Sequence, residues 1–420
     1  MLENYFARPG TLDRIRGVWL GAEIEAHVES LVEQGYGARS VWHRVPVIVA
    51  FAEFTAARNV SVIADLPAHV EAFVVERVAR HQSRGSVRPM AKEVRGPIEQ
   101  FVVCVVFGFE PTGRPQHRVP FADQVPGLIG YLVDERGLRP DSVKSYRHHL
   151  DRFEAYLARI GVRSLQELSP TVLSAFVIER ASAGLARSTV RDNVGVLRVF
   201  LRYAHREGII ATDLSGTLEW PQVYRLSTIP RSISWDDVNR VLAGVERRSE
   251  VGRRDYAVLL LLVTYGLRAR EIAALTLDDI DWKHNRLTVP ERKAGHSTAF
   301  PLSTVVGEAV VDYLQHGRPV TEDRHVFFRA AAPRRPIGAA AVSSLARSHL
   351  LRAGVTVPRP GSHTLRHTAV QRLVDGEFDL KTIGDFVGHR SARSTEVYAK
   401  VAVDKLRQVV AGGDGEEVLA

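Results

Sequence analysis

Between residues 264 and 398 the chain carries Arg268, Lys293, His363, Arg366, His389 and Tyr398, residue types suited to breaking a phosphodiester. Attack on phosphorus gathers negative charge on the nonbridging oxygens, and a planar guanidinium fork holds two such oxygens at once. Arg268 and Arg366 supply the forks, and His363 and His389 donate further hydrogen bonds. A phenol with a reference pKa near ~10 is mostly protonated at neutral pH. Tyr398 therefore attacks only with a nearby acceptor or in a strongly positive site. Because the phosphoryl group passes from one ester to another, the bond is conserved, and neither ATP nor metal is required.

Each residue also has an ordinary reading. Taken singly, Arg268 is a cation at a helix end, Lys293 a solvated turn lysine, and Tyr398 a position on an amphipathic helix. His363 and His367 stand at i, i+4, which offers a metal two ligands, with His389 as a third. The helical zinc-hydrolase motif requires a glutamate after its first histidine, and this chain has Thr364 there. The pattern therefore favours no metal, and His367 reads as a packed histidine that buttresses the site. Glu271, three residues past Arg268, suits orienting active-site side chains better than reacting itself.

These residues must be positioned by alternating elements. Residues 255–265 read as an apolar helix and 271–277 as a second, short one. Residues 287–290 and 298–302 read as strands of a hairpin around the polar turn 291–297. From 339 the chain is helical again, through 339–353, 363–375, 380–387 and 395–401. Two stretches rich in turn formers, 108–120 and 213–233, divide the chain into 1–110, 118–215 and 230–405, and 406–420 reads as a tail.

The middle part is helical. Val143, Tyr146, Leu150, Phe153, Leu157 and Ile160 recur in steps of three and four after the cap candidate Asp141. Ser169 caps a second helix with Pro170 in its first turn. A third, from about Ser188, puts Val190, Val194, Leu197, Leu201 and Ala204 on one face and arginines on the others. The first part reads as a degenerate copy of the middle one. Ser40-Val41 and Phe51-x-x-Phe54 match Ser142-Val143 and Phe153-x-x-Tyr156 at an offset of 102. Phe73-Val-Val-Glu-Arg77 matches Phe176-Val-Ile-Glu-Arg180 at 103, and Val94-Arg95-x-x-Ile98 resembles Val190-Arg191-x-x-Val194. Pro46 departs from this pattern, because it falls where a kink or break of the first copy's long helix is expected.

A length of 420 residues implies two or three domains. The formal net charge of +8, carried mostly by arginine, suggests a polyanionic partner. The single cysteine, Cys104, excludes an internal disulfide and reads as a buried small hydrophobe. The longest apolar runs, 101–109 and 257–263, fall short of the ~20 residues of a membrane span. With no signal-peptide layout, the expected place is a reducing cytoplasm and the expected partner set has no membrane.

Five segments in order resemble motifs of the tyrosine recombinase (phage integrase) family. TYGLRARE, from Thr264 to Glu271, resembles the first arginine motif, and His363-x-x-Arg366-His367 the His-x-x-Arg motif. Gly388-His389 and Tyr398 follow at the family's spacing. Arg292-Lys293 through Pro301-Leu302 resembles the lysine hairpin. The hairpin departs from the family at Ala294-Gly295-His296-Ser297-Thr298, where two accessory basic positions are missing. This weakens the expected hairpin–DNA contacts more than the acid role. The middle part resembles the family's core-binding domain through its pattern.

The resemblance implies a mainly α fold with a small antiparallel sheet, in which helical core-binding-type domains accompany a mixed α/β catalytic domain. It implies cleavage by Tyr398 to a 3′-phosphotyrosyl link, with Arg268, His363, Arg366 and His389 at the phosphate and Lys293 as the acid for the leaving 5′ oxygen. Glu271 and His367 support them. Lys144, Arg147, Arg187, Arg191, Arg198 and Arg202 are the expected DNA contacts of the middle domain. No cofactor is implied. The expected partners are double-stranded DNA, further copies of the chain (a tetramer on two DNA sites), and accessory recombinases. The expected setting is nucleoid-associated, with integration, transposition, inversion and dimer resolution all open. The rivals are a non-catalytic DNA-binding accessory protein of the same fold and a type IB topoisomerase-like relaxing activity.

Overall fold

The computed structural model describes residues 1–82, 91–111, 119–222, 232–292 and 296–388; at 81, 82, 291, 292 and 296 only the backbone is described. The chain forms two compact units, one comprising residues 1–109 with 228–420 and the other 110–227.

The first segment is helical: α1 (Pro9–Gly17), α2 (Gly21–Glu33), α3 (Ala38–Ala56), a 3-10 turn at Ile63–Asp65, α4 (Leu66–Gln82) and α5 (Ala91–Val105). Its core is closed by large apolar side chains that recur at helical spacing, among them Ile24, Val41, Ile48, Phe51, Phe73, Ile98 and Phe101. The Phe73 ring meets Phe51 and Phe54 edge-on, with centroids 5.3 and 5.1 Å away. Two expectations are corrected here. Helix α3 continues past Pro46. Pro46 is exposed, so the Trp42 carbonyl that loses its helical donor lies on the solvent side, where water can serve it. Cys104 is exposed. Helical rotation turns Phe101 and Val102 inward and carries Val103 and Cys104 round to solvent, although all four belong to one apolar run.

The 110–227 unit begins with the short α6 (Leu128–Gly130), which runs into a π turn at Tyr131–Glu135. There follow α7 (Pro140–Arg159), a 3-10 turn at Leu165–Glu167, α8 (Pro170–Ser182) and α9 (Arg187–Arg206). Helix α7 is preceded by Arg139 as N-cap with Pro140 in its first turn, so Asp141 is a first-turn acid and not the cap. Ser169 does cap α8, its hydroxyl accepting from the Val172 amide at 3.3 Å. Phe153, Phe176 and Phe200 lie at the centre of this unit. Burying each contributes roughly 1.5–3 kcal/mol. Taken separately, the first segment and this unit share an element order: long helix, 3-10 turn, helix, helix. Their 3-10 turns, 63–65 and 165–167, differ by the same 102 residues as the long-helix motifs.

The last segment holds α10 (Trp235–Ala243), α11 (Glu250–Tyr265), α12 (Ala269–Ala274), β1 (Ile280–Asp281), β2 (Arg286–Arg292), β3 (His296–Pro301), α13 (Thr304–His316), α14 (Ala339–Arg352), α15 (Ser362–Asp375) and α16 (Leu380–Val387). Residues 257–263 of α11 are all buried, so this stretch of the helix is apolar on every face and covered all round. The sheet is antiparallel in the order β1-β2-β3, with Leu287 opposite Phe300 and Val289 opposite Thr298. Its register shifts between Val289 and Arg292, towards the hairpin tip. The first and last segments meet where the Arg334 amide donates to the Gln34 carbonyl at 3.1 Å. Gly35 beside it has a φ of +80°, and a Cβ there would lie 2.9 Å from the Arg334 side chain, so the turn requires glycine.

Candidate active site

Gly266 ends α11 in the left-handed conformation, with a φ of +59°. That left-handed φ is what favours glycine here; a Cβ would sit at ordinary contact distance from Ala369 of α15 and Val387 of α16. Two residues on, Arg268 is the N-cap of α12. Its amide donates to Glu271 Oε2 at 2.9 Å, and its Nη1 to Glu271 Oε1 at 2.7 Å. Glu271 is 6% exposed, so a buried carboxylate holds the arginine by both backbone and side chain.

Arg366 projects from α15 and is itself buried. Its Nη1 donates to the Gly266 carbonyl and its Nη2 to the Val387 carbonyl at 2.7 Å. Arg268 Nη2 donates to the next carbonyl in the chain, that of Gly388, at 2.9 Å. The two guanidinium groups thus converge on consecutive carbonyls at the end of α16. The partial negative charge of helix C-termini favours cations at that place. Glu271 pairs with Arg268, and Arg366 closes on backbone carbonyls, so two arginines and one glutamate leave a net positive charge among these three groups, which suits a phosphate.

His363 stands three residues before Arg366 on α15 and keeps an exposed face. Partial burial, Arg366 and Arg268 together push its imidazole below the ordinary histidine pKa. Near neutral pH it is uncharged, with one nitrogen to donate and one to accept. The His367 ring is half-buried, 6.4 Å from that of His363. Thr368, also on α15, accepts from the Ile233 amide at 3.0 Å and so ties the chain entering this segment to the helix. Lys293, His389 and Tyr398, and the expected tail 406–420, lie outside the described residues. His389 is the residue that follows Gly388.

A further positioning group is Tyr265, which in sequence is only the last member of an apolar helix. Its hydroxyl donates to the Pro301 carbonyl and accepts from the Ser303 amide, both at 2.9 Å. Burial raises its pKa, so it stays a donor. Its ring lies 5.3 Å from Phe300, and Phe300 meets Phe386 of α16 at 5.1 Å. The base of the β2–β3 hairpin is thereby bolted to the two helix ends that hold the arginines.

In the other unit, a groove of 560 Å³ between α7 and α9 is lined by Ser145, Tyr146, His149, Ser188, Arg191 and Trp220, among others. Of the expected DNA contacts, only Arg191 is among its lining residues. Lys144, Arg187 and Arg202 are exposed and Arg147 is half-buried. Arg198 is held within the fold: its Nη1 donates to the Leu218 carbonyl at 2.7 Å, and its guanidinium lies 5.3 Å from the Trp220 ring.

Residues 231–405 match the model of the phage integrase family, and 127–208 that of the phage integrase N-terminal SAM-like domain. An integrase/recombinase of Sinorhizobium fredii is 32% identical over 391 residues, covering 92% of this chain and 93% of the relative. The tyrosine recombinase XerC of Mycobacterium tuberculosis is 31% identical over 287 residues, covering 66% of this chain and 94% of its own. In fold the chain is similar to the XerH site-specific recombinase in its post-cleavage complex with a palindromic difH substrate. That likeness has a TM-score of 0.55 at 15% identity, over 80% of this chain and 94% of the other.

Proposed function

The chain belongs to the phage integrase family and is a DNA-cleaving and -rejoining recombinase, and we propose that it works on duplex DNA through Tyr398. The observation that carries the residue assignment is the convergence of Arg268 and Arg366 on the Val387 and Gly388 carbonyls beside a neutral His363. Two fixed guanidinium forks at one point have the geometry to hold the nonbridging oxygens of a single phosphate. His389, next in sequence to Gly388, adds a donor there.

In the proposed step the Tyr398 oxygen bonds to phosphorus and the bond from phosphorus to the 5′ oxygen breaks. The phenolic proton passes to an acceptor in the site, for which uncharged His363 has a free nitrogen. The departing oxygen takes a proton from Lys293. The 3′-phosphotyrosyl link keeps the ester, and the free 5′-OH of another strand reverses the step. Glu271 and His367 hold the arginine and histidine in place. Arg191, with Lys144, Arg147, Arg187 and Arg202, serves the DNA backbone, whereas Arg198 anchors the Leu218 turn. Exchange between two duplexes needs four active sites, so a tetramer on two sites is the working assembly, with accessory recombinases as further partners. Integration or transposition in the nucleoid is the proposed setting. No helix among the described residues is long and apolar enough to cross a membrane.

The test is Tyr398→Phe with a nicked suicide duplex made from DNA flanking the chain's own gene. The variant keeps DNA binding and loses the covalent band on a denaturing gel. A band that persists in the variant assigns the nucleophile elsewhere. The rival readings, a non-catalytic accessory protein and a relaxing enzyme, predict no band in wild type and a band without strand exchange, respectively.

A further inference from the structure

The offsets that relate the first segment to the middle unit also relate two grooves. One, of 510 Å³, lies between α3 and α5, and the other, of 560 Å³, between α7 and α9. Along the long helices the offset of 102 carries His43, Arg44 and Val47 onto Ser145, Tyr146 and His149. Along the last helices the offset of 96, set by Val94 and Val190, carries Lys92 and Gly96 onto Ser188 and Asp192. All ten positions line their respective grooves. The same cleft is therefore built twice, and the second copy falls in the stretch that matches the SAM-like domain.

The two linings differ in charge. Where the middle groove has Ser145, Tyr146 and Ser188, the first has His43, Arg44 and Lys92. Arg77 lines it as well, and Glu93 is the one acid among its lining residues. Arg44 is held by neutral partners, with Nε donating to Gln100 at 3.2 Å and the guanidinium 4.6 Å from the Tyr36 ring. Glu53 on α3 and Glu76 on α4 are already paired with Arg14, Arg58 and Arg80. His43 and Lys92 are exposed on facing helices. Cations spread along two helices match a chain of phosphates better than a single anion.

We propose that the groove between α3 and α5 is a second DNA-backbone site, which gives residues 1–109 a hold on a further stretch of duplex. The inference rests on the reading that the chain works on duplex DNA. Its affinity is electrostatic and independent of sequence, so mixed-sequence DNA suffices to test it.

The variant is His43→Ala with Lys92→Ala in the full chain; both side chains are exposed, and an unchanged melting curve checks the fold. Affinity is measured against salt on mixed-sequence duplexes of about 20 and about 60 base pairs, where each lost phosphate contact lowers the log–log slope by about one. On the long duplex the variant shows a slope lower by about one, from the loss of the Lys92 charge. On the short duplex, and in covalent capture by Tyr398, it matches wild type. Equal slopes for variant and wild type on the long duplex overturn the proposal. Equal slopes together with a smaller oligomer in sedimentation also overturn it, and assign the groove to a second copy of the chain. A wild type that forms no covalent complex sinks the recombinase mechanism alone, because the salt comparison does not depend on it.

Discussion

Replacing Tyr265 by phenylalanine removes one oxygen and leaves the ring against Phe300. The lost hydroxyl is the donor to the Pro301 carbonyl and the acceptor for the Ser303 amide. Each such bond contributes about 0.5–1.5 kcal/mol net, so the pair contributes about 1–3 kcal/mol. Tyr265 is 3% exposed, so water does not readily take its place. The consequence for function follows from what the bolt joins. Arg268 lies three residues beyond Tyr265, and Lys293 eight residues before Pro301. Loosening the hairpin base therefore disturbs the reach of the proposed acid, and leaves Arg366 on its own helix. Covalent capture is measured on an ordinary suicide duplex and on one with sulfur at the bridging 5′ position, which leaves without a proton. Tyr265→Phe slows capture on the ordinary duplex by about tenfold if some 1.4 kcal/mol reaches the transition state. The sulfur duplex restores the rate, and Lys293→Ala behaves likewise with a larger loss. Equal slowing on both duplexes refutes the link between the bolt and the acid. A normal rate on the ordinary duplex refutes any catalytic consequence of the bolt.

Glu271→Ala strips Arg268 of its buried carboxylate and its backbone cap, and should cost about 2–4 kcal/mol in denaturant unfolding. It also slows capture while DNA affinity holds; unchanged unfolding and capture would show that Arg268 is positioned by its carbonyl contact alone. His27 is buried against Phe101 with neither ring nitrogen hydrogen-bonded, and burial together with Arg44 lowers its pKa to about 4. The unfolded chain takes up that proton first, so stability present above about pH 6.5 falls by up to about 3 kcal/mol as pH drops towards 4. His27→Phe flattens that part of the unfolding profile, and an unflattened profile places the titration in another group. Cleavage proceeds in excess EDTA without nucleotide, and a requirement for magnesium in the covalent step would count against phosphate activation by arginines alone.

The sequence was informative wherever one element carries its own pattern. Val143, Leu150, Phe153 and Leu157 announce α7 by spacing alone, and the paired strands at Leu287 and Thr298 announce the hairpin. What escapes notice depends on distant partners or on rotation about a helix. Strand β1 has two residues, too few for any period. Helices α10 and α13 lie outside the stretches whose residue types suggest chemistry, and carry none of those residues themselves. Arg198 sits among arginines on α9, yet its partner is a carbonyl 20 residues away. Tyr265 looks like core because its ring is core, while the role of its hydroxyl is set by Pro301, 36 residues on. Of the proposed site, Arg268, Glu271, His363 and Arg366 lie among the described residues, and their types were legible. The two carbonyls on which both arginines close were not, because backbone acceptors leave no mark in a sequence.

The hydrogen bond between Arg334 and Gln34 spans 300 residues of chain. During synthesis the first segment leaves the ribosome with its own core complete, since Ile24, Phe51, Phe73 and Phe101 need nothing that comes later. Its seat on the last segment is made only after the whole middle unit has emerged, so this docking is among the late events of folding. A chain that stops short of Arg334 would carry both helical clefts, Arg268 and the hairpin lysine, but neither that seat nor Arg366 nor Tyr398. If the first cleft holds the DNA backbone as proposed, such a fragment keeps that hold on duplex without the means to cut it, and early termination would turn the enzyme into its own competitor.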